Sequence, residues 1–303
     1  MRALALALAL SLPAVAAAQT PDAAEVVAAE RAFAADYPGL GMGASFRKWA
    51  EPGAIMIAGG RAQTVEQVFP PEAPPDPQEP LLEWWPNFAG ISRSGDLGFT
   101  TGGVSVNGER AGHYFTVWRR QPDGSWKWVY DGGAGASAAD VPGRDSEPEL
   151  LPLGPEFVMV WSPRDGSNLS TIAMRDVREM EAQLARAVAR DQVEAHLAVL
   201  ADRGRVYVAP LAPAVGPAAA ASSLKAWPET FEVGPMEGGG ASEAGDLVWT
   251  YSPALWSHEE QPRTGHFVRL WQRQDAGWKL VLVQLIFGPP PPPLLVAPPP
   301  PGS

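Results

Sequence analysis

Gly112-His113-Tyr114-Phe115-Thr116-Val117-Trp118-Arg119-Arg120, followed after Gln121-Pro122-Asp123-Gly124 by Ser125-Trp126-Lys127, is the stretch from which the fold can be read. Aromatic and β-branched residues dominate both arms, as strands require. The Pro-Asp-Gly between them is hairpin chemistry, with Gly124 where a positive φ is wanted. The pattern returns about 150 residues later as Gly265-His266-Phe267-Val268 with Trp271 and Arg273, the turn Gln274-Asp275-Ala276-Gly277, then Trp278-Lys279.

Three more anchors repeat in the same order. Ala50-Glu51-Pro52-Gly53-Ala54-Ile55-Met56-Ile57 matches Ala201-Asp202-Arg203-Gly204-Arg205-Val206-Tyr207-Val208. Leu82-Glu83-Trp84-Trp85-Pro86 matches Leu224-Lys225-Ala226-Trp227-Pro228, and Gly95-Asp96-Leu97 matches Gly245-Asp246-Leu247. The proline-rich residues 69–80 are a loop that lengthens the first copy. Two tandem copies of one domain follow, residues 22–133 and 170–288, joined by a Gly/Pro/Ser/Asp-rich linker at 134–169. Within the linker, residues 157–161 are apolar enough for a strand. A proline-rich tail, 289–303, closes the chain in polyproline II.

In each copy helices come first. Asp22 with Glu25 three residues on starts a helix over 23–36, which Tyr37-Pro38-Gly39 stops. Its apolar stripe is Val26, Val27 and Phe33. In the second copy Ser170 caps a helix running to Arg190, with Met180, Leu184 and Val188 on one face. Short helices follow at 44–49 and 193–200. Strands are then expected at 55–57, 96–101, 112–120 and 125–131, antiparallel to one another. The class is α+β.

The run from Gly112 to Arg120 with Asp123 to Lys127, and Gly95-Asp96-Leu97-Gly98-Phe99-Thr100, resembles the C-terminal strands of SnoaL-like domains in the nuclear transport factor 2-like superfamily. The resemblance covers both copies. It implies two tandem cone-shaped α+β barrels, each a few N-terminal helices on a curved sheet enclosing an apolar pocket, and commonly a sheet-to-sheet dimer. Members include isomerases, cyclases, hydrolases and proteins without chemistry, so the fold alone assigns no activity.

Composition narrows the choice of partner and compartment. Among 303 residues Asp plus Glu outnumber Lys plus Arg by 34 to 23, which argues against a nucleic-acid partner. With Cys 0, disulfides, thiolate zinc and a cysteine nucleophile are excluded. Residues 3–12 form an Ala/Leu run after Arg2, too short to span a bilayer, and Ala16 and Ala18 fit an A-x-A cleavage rule. A signal peptide over 1–18 is expected, with a mature chain from Gln19 that is periplasmic or secreted and free of the membrane.

Strand alternation places His113, Phe115 and Val117 on one face and Tyr114, Thr116 and Trp118 on the other. The repeat partners His266, Val268 and Leu270 mark the first face as the pocket, with Trp85 and Trp227 as further ligand-pocket residues. Trp118 and Trp271 then fall on the opposite face, where the two copies pair as an internal pseudo-dimer, monomeric or further dimerised. Asp131 ends the last strand and is replaced by Val283 in the second copy. If it faces the pocket, burial raises its pKa and makes it a candidate general base, with His113 as its acid/base partner. Glu51 and Asp202, and Asp96 and Asp246, read as turn or strand-entry chemistry, and Glu83 becomes Lys225 in the second copy, so any role there belongs to one domain only. Four scattered His form no metal-ligand spacing, and neither metal nor cofactor is expected. Three functions stay open: binding of a small apolar or aromatic ligand, a cofactor-independent isomerase or hydrolase using Asp131 and His113, and a non-catalytic scaffold.

Overall fold

The computed structural model describes residues 20–73, 76, 78–136, 142–156 and 167–289. The expected signal segment, the expected strand at 157–161 and all of the tail after Pro289 lie outside the described residues.

The first half runs α1 (Ala24–Leu40), α2 (Met42–Trp49), β1 (Ala50–Ala58), β2 (Arg61–Thr64), α3 (Val65–Val68), β3 (Leu82–Ile91), β4 (Leu97–Val106), β5 (Glu109–Arg120), β6 (Trp126–Gly135) and β7 (Glu149–Leu150). The second half runs α4 (Leu169–Val188), α5 (Gln192–Val199), β8 (Leu200–Tyr207), β9 (Ala214–Val215), α6 (Gly216–Ser223), β10 (Glu232–Val233), β11 (Gly238–Ala241), β12 (Leu247–His258), β13 (Gln261–Gln274) and β14 (Gly277–Phe287). Each half forms a seven-stranded sheet, ordered β2-β1-β6-β5-β4-β3-β7 and β10-β12-β13-β14-β8-β9, with β11 added on β12. The α+β class and the helices ahead of each sheet are as expected.

Three local readings need correction. The sheets are mixed: β1 lies parallel to β6, and β8 parallel to β14. The first strand thus closes onto the last after a crossover spanning the whole half, a pairing invisible to local periodicity. Second, α1 continues through Pro38 to Leu40, with Gly41 as its C-cap; the proline gives up its own N–H bond near the helix end, and the Gly41 N–H still reaches Tyr37 O. Third, α4 is capped by Asn168, whose side chain accepts from Thr171 N at 2.9 Å, and ends at Val188. The β5–β6 turn is as read: Gly124 has φ 86° and its N–H bonds to Gln121 O at 2.9 Å.

The two sheets pack face to face through Phe99, Phe115, Val117 and Tyr130 of the first against Trp249, Tyr251, Val268 and Leu270 of the second. Tyr130 and Trp249 are 5.5 Å apart between ring centroids. The β3–β4 and β11–β12 turns clasp reciprocally. Arg93 N donates to Asp246 Oδ2 at 3.0 Å, and Glu243 N to Asp96 Oδ2 at 3.0 Å. The helices cover the other face of each sheet, with Phe33, Tyr114, Trp118 and Trp128 in the first core and Leu184, Phe267, Trp271 and Val283 in the second.

The faces are therefore opposite to the sequence expectation. Trp118 and Trp271 point at the helices, not at the other sheet. The reason is hydrogen bonding: each indole N–H meets a buried glutamate on a helix, Glu30 or Glu181. Phe115 and Val117 have no donor to satisfy and close the sheet-to-sheet seam.

Candidate functional site

A cavity of about 330 Å³ opens inside the first cone. Its walls are apolar side chains of α1, α2, β1, β3 and β4, among them Phe33, Met42, Phe46, Met56, Trp84 and Val104, and its polar edge is Tyr114 and Asp131. β5 and β6 pair Thr116 with Asp131. Thr116 Oγ1 donates to Asp131 Oδ2 at 2.7 Å, which fixes the carboxyl on the inner face. Asp131 is buried, and desolvation, together with the nearby Glu30 carboxylate, pushes its pKa up to about 8. Around neutral pH it is a carboxylic acid that can donate a hydrogen bond. Tyr114 Oη is buried beside it, and burial raises the phenol well above its ordinary value.

Below them lies Glu30, fully buried on α1. It accepts from Trp84 Nε1 at 2.6 Å, from Trp118 Nε1 at 3.0 Å and from the Thr100 hydroxyl. Desolvation raises its pKa, and these donors pull the other way. The sequence reading gives Glu30 no role. The signal is in the sequence: Glu30 and Glu181, and Thr100 and Thr250, recur at the same interval as the strand anchors.

Asp131 and His113 both border the cavity. Their side chains do not converge. His113 leaves β5 on the other face, stacks edge-on against Tyr207 at 5.2 Å and lies 3.1 Å from Arg110 through Nδ1. Desolvation and the charges of Arg110 and Arg205 hold its pKa down to about 3, so it is neutral and no partner for Asp131. Phe115, Val117 and Val268 are not pocket residues but fill the sheet-to-sheet seam. His266 is buried with Nε2 3.3 Å from Glu237. Trp85 points outward: its Nε1 donates to Pro142 O at 3.0 Å, and its ring lies under Arg110 and Arg144. Its neighbour Trp84 faces the cavity instead.

In the second unit the corresponding depth is filled. His196, Trp227, Phe231 and Phe267 form one aromatic cluster with centroids 5.1 to 6.1 Å apart. Trp227 also borders a hollow of about 510 Å³ whose walls include Trp256, Arg263 and Phe287 but neither Phe267 nor Val283. Glu181 there accepts from Thr250 at 2.5 Å, from Trp271 Nε1 at 2.8 Å and from Arg269 Nη1 at 2.7 Å.

No protein-family model and no curated protein matches the chain. Solved structures do. The chain is similar to nuclear transport factor 2-like proteins. One, of unknown function from Pseudomonas putida, is 18% identical over 39% of this chain and 87% of its own, with a TM-score of 0.34. A ketosteroid isomerase-like protein from Erwinia carotovora atroseptica is 17% identical over 38% of this chain and 96% of its own, at 0.32. A protein of unknown function with a cystatin-like fold from Nostoc punctiforme is 17% identical over 43% of this chain and 100% of its own, at 0.34. Among the described residues no group of three or more His, Asp or Glu is placed to hold a metal, and no helix is long and apolar enough to cross a membrane.

Proposed function

We propose that the first unit, residues 22–133, binds a small, largely apolar molecule whose one polar end meets Asp131 and Tyr114. The observation that carries this is the placement of a buried, raised-pKa carboxyl on the wall of an otherwise apolar cavity of about 330 Å³, a size and lining typical of small-molecule sites. The second unit, residues 170–288, supports the first through the shared seam. Its packing covers the open sheet face without a partner copy. Calorimetric titration with benzyl alcohol should give a saturable heat with the natural chain and none with Val104→Trp, which fills the cavity. Equal heats from the two would sink this reading.

A second reading, proton transfer, is favoured by Asp131 itself: a carboxyl that titrates near pH 8 can take and return a proton at neutral pH. His113, turned to the seam, has no part in it. Export belongs to the same proposal, supported by the Ala/Leu run of residues 3–12 and by Ala16 and Ala18, which fit a cleavage rule. The protein recovered from a periplasmic fraction should begin at Gln19, and an intact Met1 would contradict export.

A further inference from the structure

Beside its buried glutamate the second unit carries a cation, Arg269, whereas the described partners of Glu30 in the first are neutral. Arg269 Nη1 lies 2.7 Å from Glu181, and its guanidinium sits 4.3 Å from the centre of the Phe267 ring, fully buried. Its cross-strand partner is Val283. The same cross-strand pair in the first sheet is Thr116 with Asp131, and Tyr114 stands where Phe267 stands. So the first unit has exchanged an internal cation for a hydroxyl and a valine for a second acid. Glu30 and Asp131 are both buried, close enough for the Glu30 charge to raise the Asp131 pKa, and among the described residues that line the cavity with Asp131 there is no Lys or Arg.

Two buried acids, aromatic rings and an open cavity make a site for positive charge. Burial of a carboxylate is costly unless it is paired, and an aromatic wall adds cation–π attraction. Resting on the binding reading above, we propose that the cavity's ligand is an organic cation: a primary ammonium head against Asp131 and the Tyr114 ring, on an apolar body against Phe33, Phe46 and Trp84. Arg269 on Glu181 and Phe267 is the occupied counterpart within the same chain. Binding draws the proton off Asp131 and leaves a paired carboxylate. The groups that face Asp131 are Glu30 from α1 and Tyr114 and Thr116 from β5; His113 lies on the far face and is uncharged.

The test is calorimetry on the full mature chain with benzylamine and with its neutral counterpart benzyl alcohol, at pH about 6 and about 8. At the higher pH the amine should bind at least about tenfold more tightly than the alcohol, and its advantage should shrink at the lower pH as Asp131 keeps its proton. Asp131→Asn, which removes no packing, should bring the two probes to within about twofold. Alcohol binding as tightly as amine in the natural chain would overturn the cation proposal and leave the cavity reading standing. Heat from neither probe would overturn both, and a preference for amine that survives in Asp131→Asn would overturn the role of Asp131.

Discussion

The two units bury a glutamate at the same place in the same fold and settle its charge differently. Glu181 is met by Trp271, Thr250 and the guanidinium of Arg269. Glu30 is met by Trp118, Thr100 and the indole of Trp84, all neutral. One cross-strand pair carries the difference, Thr116 with Asp131 against Arg269 with Val283. With a resident cation the second cone is closed by His196, Trp227, Phe231 and Phe267. Without one, the first cone keeps a cavity and a second acid. What the pair teaches is that repeated structure leaves function to the few positions where the repeats diverge.

The largest effect should come from removing the resident cation. Arg269→Met leaves Glu181 buried and unpaired and should cost about 3 to 5 kcal/mol in urea unfolding. A loss near zero would mean the pair contributes nothing and the contrast with Glu30 is empty. The seam should come next: Phe115→Ala, in a side chain with no solvent exposure, should cost about 3 kcal/mol by cavity formation. Had Phe115 lined an open pocket, the loss would be far smaller.

A pH series sharpens the comparison further. The pKa of Asp131 in the folded chain is raised from 3.8 to about 8, so the folded chain holds a proton that the unfolded chain releases. Its contribution is full below pH about 4 and is lost as pH rises to about 8, with a slope of at most about 1.4 kcal/mol per pH unit. Asp131→Asn should lack that slope, and Val283→Ala in the second unit should retain it. The two stability curves running parallel would contradict the raised pKa. The smallest effect concerns Trp85, whose ring lies outside the cavity: Trp85→Ala should leave benzyl alcohol affinity within about twofold.

How far the sequence could be read depended on the range of the interaction. The β5–β6 hairpin and its echo were legible, because strand propensity and a Pro-Asp-Gly turn are local. Asp131 stood out only as a point where the repeats diverge, against Val283; which face it takes follows from its pairing with Thr116. The parallel pairing of β1 with β6 was not legible, since it joins residues far apart along the chain. Nor was the inward face of β5: both faces are apolar, and what decides between them is the buried glutamate on α1 that needs Trp118 Nε1 as a donor. His113 was misjudged with that face. Glu30 itself reads as one more acid on a helix until its repeat partner Glu181 and their shared Trp and Thr donors are set side by side.

The most direct test is a carbon-13 NMR titration of the Asp131 carboxyl in the natural chain and in Glu30→Gln. A midpoint near 8, falling clearly when the Glu30 charge is removed, is the result predicted from two buried acids sharing a site without a cation. A midpoint near 4 in both proteins, the ordinary range of an exposed aspartate, would contradict it.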